Sequence, residues 1–217
     1  MNNELLQSAL WLLPAYLLGA VPFGLLVARI VGVGDIRQQG SGNIGATNVL
    51  RAAGRLAGAV ALLLDMLKGF APVLLARLWL GSDTPLTAGV ALAVFLGHLY
   101  PVYLGFKGGK GVATGLGIYL AWTPAIGLYA VLTWLVTAML WRTSSLAALM
   151  AFLLLPAFLF FQESRAAMAT ALCMVPWIFW RHRANIRRLA HGTEPRIGRA
   201  KDGRSAESPL SDTTGAP

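Results

Sequence analysis

Long apolar runs alternating with short polar segments make up almost the whole chain. The runs cover residues 5–30, 56–80, 86–104, 111–120, 124–140, 146–161 and 166–180. Most approach the ~20 residues that carry an α-helix across a bilayer. Run 111–120 is the exception. At ~1.5 Å per residue it reaches only half way, and Trp122-Thr123-Pro124 then interrupts the pattern. Residues 111–140 therefore read as a hairpin of a short helix and a longer partner, not as one bent span. The pattern predicts an all-α integral membrane protein, a polytopic bundle of about seven transmembrane helices. The first run has no positive flank before it, carries Glu4 and lacks a clear small-residue cleavage site. It reads as an uncleaved span, not a signal peptide.

Composition supports this class. Of 217 residues, 56% are hydrophobic and 12% charged, against about 25% charged in soluble domains. That excludes the soluble, disordered and collagen-like classes. Lys and Arg number 18 against 9 acids, a formal charge of +9, and much of the excess lies between runs or just after the last one. Arg29 stands at the end of the first run and Arg37, Arg51 and Arg55 follow it, while residues 81–85 carry no Lys or Arg. Lys107 and Lys110 come next, then Arg181, Arg183, Arg187 and Arg188. The positive-inside rule places all three basic groups in the cytoplasm only if 111–140 returns to its own side, with the N-terminus out and the C-terminus in. From Thr193 the chain turns polar, which predicts a disordered cytoplasmic tail over 193–217. The lone Cys173 excludes an intramolecular disulfide and a Cys-based metal cluster. Acids are too sparse before the tail for a multi-carboxylate metal cage, so no metal and no cofactor are expected.

Three polar blocks carry the chemistry. The first runs from Gly40 through Ser41, Gly42, Asn43, Gly45, Thr47 and Asn48 to Arg51. Its Gly40-x-Gly42-x-x-Gly45 spacing matches a dinucleotide fingerprint, but a span, not a strand, precedes it. Ala46 stands where a P-loop needs Lys. What remains is a cradle of glycines, neutral donors, a helix start and one fixed charge, suited to phosphate. A capped connecting turn is the plainer reading. The second block, Gly97 to Thr114, contains His98 and sets Lys107 and Lys110 among Gly105, Gly108, Gly109 and Gly111 directly before a helix. Lysines among tight turns can wrap an oxyanion, whereas a plain anchor loop needs fewer glycines. The third block holds Arg181, His182, Arg183, Asn185 and Arg188. Helical spacing puts His182 and Asn185 on one face, although a polybasic lipid-binding segment has the same composition. Asp65 and Lys68, three apart within a span, can pair and orient the loops. Trp11, Trp79, Trp122, Trp141, Trp177 and Trp180 read as interface anchors, and Gly54-x-x-x-Gly58 and Gly111-x-x-x-Gly115 as helix-packing spots.

GSGNIGATNVLR, DMLKG, GHLYPVYLGFKGGKGVAT and HRANIRRLAHGTE occur in this order between apolar spans. Together they resemble the acyl-phosphate-dependent glycerol-3-phosphate acyltransferases, the PlsY family, over essentially residues 5–195. The resemblance implies a seven-helix fold in a bacterial inner membrane, with motifs facing the cytoplasm. Residues 1–192 would form the transmembrane acyltransferase domain. It implies that an acyl chain moves from acyl phosphate to the 1-hydroxyl of glycerol 3-phosphate. The products would be lysophosphatidic acid and phosphate, the first step of bacterial phospholipid synthesis. The partners are then these two substrates and membrane lipid, with no nucleic acid and no obligate protein partner. Ser41, Arg51, Lys107, His182 and Asn185 are the expected catalytic residues. Gly40, Gly42, Asn43, Gly45, Thr47, Asn48, His98, Gly108, Gly109, Lys110, Thr114, Arg183 and Arg188 are expected to bind substrate. Two anions must be held side by side, and the mixed anhydride is already activated. Either the donor's own phosphate or His182 can take the hydroxyl proton. An organic-phosphate transporter and a lipid-binding scaffold are the competing readings. The first predicts charges at the midplane on broken helices, and the second leaves the glycines unexplained.

Overall fold

A computed structural model describes residues 3–162 and 164–198. All regular structure among them is helical: α1 (Asn3–Ala20), α2 (Phe23–Ile30), α3 (Ala46–Leu80), α4 (Pro85–Leu99), α5 (Val112–Trp122), α6 (Pro124–Trp141), α7 (Ser144–Phe160), α8 (Arg165–Arg181) and α9 (Arg183–Ala190), with two short 3₁₀ turns. Four stretches are long and apolar enough to cross a membrane: Glu4–Ile30, Ala46–Leu80, Pro85–Leu104 and Pro124–Trp141. Val112–Trp122 and Ser144–Phe160 are shorter apolar helices.

Local chemistry sets the helix ends. Pro22 removes an N–H donor between α1 and α2, so the first apolar run breaks there. The Thr84 hydroxyl accepts from Thr87 N–H, and Pro85 takes the first helical position of α4. The Ser164 hydroxyl caps α8 through Ala167 N–H. Gly54, at φ 87° and ψ −179°, divides α3 into two pieces. Only glycine adopts that backbone conformation at low strain. The first piece folds back so that Leu50 lies on Gly58, and nothing lies within 4 Å of a Cβ built on Gly54. The anticipated packing role for the Gly54 pair therefore belongs to Gly58 alone, and Gly54 is a hinge point in the chain.

Connections collect at two ends of the bundle. Trp122 Nε1 donates to Ser82 O (2.6 Å), and Ser164 Oγ and Ala166 N donate to Asp83 Oδ1 (2.9 and 2.8 Å). These bonds bring together the segments after α3, α5 and α7. Trp122, expected as an interface anchor, is instead 2% exposed and belongs to the core. At the opposite end, Thr47 Oγ1 meets Ser144 Oγ at 2.8 Å, and Lys110 Nζ donates to Asn185 Oδ1 at 2.5 Å. So α5 runs from the second end to the first and α6 returns, which is the hairpin drawn from the apolar pattern. Helix α5 is short because the loop before it enters the bundle: Gly109 and Gly111 are both buried. Close crossings hold the frame. A Cβ on Gly69 would collide with Thr114 O, and one on Gly117 with Met66 O. Phe95, Tyr119, Trp122, Phe152 and Met174 fill the core between them. The outer face stays apolar, with Leu63, Leu78, Trp79, Met139, Phe160 and Phe161 all exposed.

Candidate active site

The first block is a loop closed by Asn48 at the start of α3. Asn48 is 1% exposed. Its Nδ2 donates to Ile36 O (2.8 Å) and Gln39 O (3.1 Å), while its Oδ1 accepts from Ser41 N (3.1 Å). All three bonds serve the loop itself, so Asn48 shapes the cradle from behind. Gly40 and Gly42 sit at positive φ in this loop, and Gly45 is the N-cap position of α3. Asn43 is half-buried beside Gly45, and Thr47 is tied to Ser144. Ser41 and Arg51 are exposed. Arg51 Nη2 donates to Pro195 O at 3.4 Å.

The second block descends into the bundle. Gly108 N and Gly109 N donate to Leu99 O and His98 O at 3.2 and 3.1 Å. Lys107 stands exposed at the rim, and Lys110 points inward to Asn185. Burial lowers the Lys110 pKa to about 8, with Arg188 and Arg51 adding to the shift and Glu194 opposing it. His98 and Thr114 lie below the loop, bonded to each other (Nδ1 to Oγ1, 3.1 Å), and are 4% and 0% exposed.

The third block begins where α8 ends. His182 is buried, and its Nδ1 lies 2.8 Å from Ile178 O. A carbonyl can only accept, so the proton sits on Nδ1 and Nε2 carries the lone pair. Burial lowers the His182 pKa to about 4, and the nearby Lys110 charge adds to this. The ring is therefore neutral at physiological pH. Arg183 lies on the outside, stacked over Trp180 at 4.8 Å.

Glu194 ties α9 to the start of α7, and sequence reasoning did not place it in the site. Its Oε1 accepts from Asn185 Nδ2 (2.6 Å) and Ser145 Oγ (2.7 Å), and its Oε2 accepts from Arg188 Nε (2.7 Å). Partial burial raises its pKa, but these three bonds outweigh burial and hold it below the usual carboxylate range. The signal was available in the HGTE ending of the third block, but Ser145 and Arg142 lie in no motif. The segment around Glu194, the first part of the expected tail, is bonded back to the bundle. Ile197 N donates to Arg142 O (2.6 Å) and Arg142 Nη2 to Ile197 O (3.2 Å), so Thr193–Gly198 strap back onto the start of α7. The rest of the expected tail, residues 199–217, lies outside the described residues.

Arg51, Lys110, His182, Asn185, Arg188, Ser145 and Glu194 thus share one end of the bundle, with more cationic than anionic groups. Ser41, Lys107 and Arg183 stand at its exposed margin, and Asn48, His98 and Thr114 support it from inside. Beside it, Trp141 and Leu146 open an apolar groove between α6 and α7 that runs to Tyr129 and Phe158, with a volume of about 680 Å³. An anionic head bound at the basic end has room for an apolar chain in that groove.

Comparison with known proteins gives the family. Residues 9–192 match the family described as glycerol-3-phosphate acyltransferase. The glycerol-3-phosphate acyltransferase of Jannaschia sp. is 53% identical over 198 residues, 91% of this chain and 97% of the relative. That of Agrobacterium fabrum is 52% identical over 192 residues, 88% of this chain and 92% of the relative. Two crystal structures of PlsY, an integral membrane glycerol 3-phosphate acyltransferase, are similar at 43% identity, covering 88% of this chain and 96% of theirs. The glycerol 3-phosphate form aligns with a TM-score of 0.85. The lysophosphatidic acid form aligns with a TM-score of 0.83.

Proposed function

This chain belongs to the glycerol-3-phosphate acyltransferase family and is an acyltransferase, and from that premise we propose that its acyl donor is acyl phosphate. The acyl group passes to the 1-hydroxyl of glycerol 3-phosphate, giving lysophosphatidic acid and phosphate, the opening step of bacterial phospholipid synthesis. One observation carries this reading. Cationic groups from three distant stretches converge at one end, through Lys110 to Asn185 (2.5 Å) and Arg51 to Pro195 (3.4 Å), next to the mouth of a long apolar groove. Two phosphate-bearing substrates, one with a fatty chain, match that combination of charge and apolar length.

In the proposed reaction the 1-hydroxyl oxygen attacks the acyl carbonyl carbon. The bond between that carbon and the phosphate oxygen breaks. Phosphate leaves and carries away the hydroxyl proton. His182 supports this routing, because a ring with a pKa near 4 is a poor general base at neutral pH. With Nδ1 committed to Ile178 O, its Nε2 serves as a hydrogen-bond acceptor that orients the hydroxyl. Lys107, Lys110, Arg51 and Arg188 offset the repulsion between the two anions. Ser41, Gly40, Gly42, Asn43, Gly45 and Thr47 line one phosphate cradle. Gly108, Gly109 and Lys110 form the other. The bundle crosses a bacterial inner membrane seven times with this end in the cytoplasm, the N-terminus out and the C-terminus in. Basic residues crowd the site end, whereas residues 81–84 at the other end carry none.

The test uses purified protein in detergent with labelled glycerol 3-phosphate and either palmitoyl phosphate or palmitoyl-CoA. Lysophosphatidic acid is expected with the acyl phosphate alone. Product from the thioester instead would overturn the donor assignment.

A further inference from the structure

Beneath the glycine loop lies a cluster of ionisable side chains that the reaction does not use. The side chains of Asp65, Lys68 and His98 are 3%, 1% and 4% exposed. Lys68 Nζ sits 2.7 Å from Asp65 Oδ1 and donates to Val21 O at 2.8 Å, the carbonyl at the break between α1 and α2. His98 Nδ1 is 3.1 Å from Thr114 Oγ1 and 3.8 Å from the same Asp65 oxygen. The cluster therefore joins α1, α3, α4 and α5 at one level.

A buried ion pair adds little net stability, because desolvation of both charges offsets their attraction. Well-packed apolar side chains would hold these helices as firmly. What the charged cluster adds is direction, since Lys68 is fixed by its bond to Val21 O and His98 by its bond to Thr114 Oγ1, and both face the Asp65 carboxylate. The part of the molecule that needs such direction lies directly above. The segment from Gly105 to Gly111 holds four glycines and loses much conformational freedom when ordered. Gly109 rests flat on His98: its N–H meets His98 O at 3.1 Å, and a Cβ there would collide with His98 Nε2. The imidazole ring is the floor on which the loop is laid, and Lys110 is the next residue.

We propose that Asp65, Lys68 and His98, with Thr114, form a buried positioning unit that sets the depth of the loop carrying Lys110 and so places Lys110 for phosphate. The proposal rests on the acyltransferase reading. These are positioning residues: they act through the loop and take no part in acyl transfer.

Two kinds of readout test it. Turnover gives KM for each phosphate substrate, and the melting-temperature shift caused by inorganic phosphate gives binding without turnover. Failure of the wild type to use palmitoyl phosphate would overturn the donor assignment, while the phosphate shift still tests the unit. His98→Ala and Gly109→Ala are each expected to raise KM for a phosphate substrate about tenfold or more and to weaken the phosphate shift, with kcat within about twofold. The double variant should be no worse than either single, because His98→Ala removes the atom that the new methyl group strikes. Thr114→Val should also raise KM, and Thr114→Ser should restore it by keeping the hydroxyl bond to His98. This pair carries the test if His98→Ala does not fold. Unchanged KM and phosphate shift in folded variants, a loss confined to kcat, or additive effects of His98→Ala and Gly109→Ala would each overturn the proposal.

Discussion

Lys110 is where burial and charge oppose each other most directly. Its pKa near 8 means that the free site holds a cation it would shed in mildly alkaline solution. The sign follows from the depressed value: holding the charged form penalises the folded protein below about pH 8, and the penalty fades as pH rises. A bound phosphate dianion supplies the missing counter-charge and restores the proton. KM for the phosphate substrate that Lys110 serves is therefore expected to climb above about pH 8, by at most about tenfold per pH unit. Phosphate monoesters are already dianionic there, their second pKa being about 6, so the substrate does not produce the trend. Lys110→Arg should flatten it, as measured by initial rates from pH 7 to 9.5. Glu194 works in the other sense. Its lowered pKa adds stability that is complete above the ordinary glutamate value of 4.5 and is lost as pH falls through the folded value. Glu194→Gln loses the ion pair with Arg188 and weakens bonds to Asn185 and Ser145. It is expected to destabilise the strap by about 1–3 kcal/mol, seen as faster proteolysis after Arg188.

At the scale of elements, the break in α3 and the shortness of α5 decide where the blocks lie. Gly54 lets the first turns of α3 fold back toward the site end, bringing Thr47 to Ser144. Open space surrounds Gly54, so Gly54→Ala isolates the backbone effect from any side-chain clash. We expect a loss of about 1–3 kcal/mol, read as a lower melting temperature in detergent, with weaker substrate binding. The apolar runs were legible because hydropathy and helix breakers act locally: Pro85 and Pro124 each open a helix, whereas the break at Pro22 inside the first run went unread. The Asp65–Lys68 pair was legible for the same reason, since residues three apart share a helix face. Trp122 was misread because hydropathy alone does not distinguish a tryptophan facing lipid from one turned inward to Ser82.

For the whole molecule, the two ends differ in charge, and that difference can be measured in membranes. In a background without Cys173, a single cysteine at Ser82 is expected to react with an impermeant maleimide in intact cells. One at Gln39 should react only after the membrane is opened. The reverse pattern would invert the proposed orientation.

By itself the sequence determined the helical class, the succession of apolar runs, the short-long hairpin and the residue types suited to phosphate. Each depends on neighbours within a few turns of chain. It left open which blocks meet, and it missed Glu194, Ser145 and Arg142 as the ties that hold the third block and the strap to the start of α7. Only the packed bundle decided that, because Lys110 and Asn185 lie 75 residues apart and Arg51 and Pro195 lie 144 apart. Such distances close through tertiary packing, of which the close α3–α5 crossing at Gly69 and Gly117 is one part. No local preference of the chain encodes those contacts.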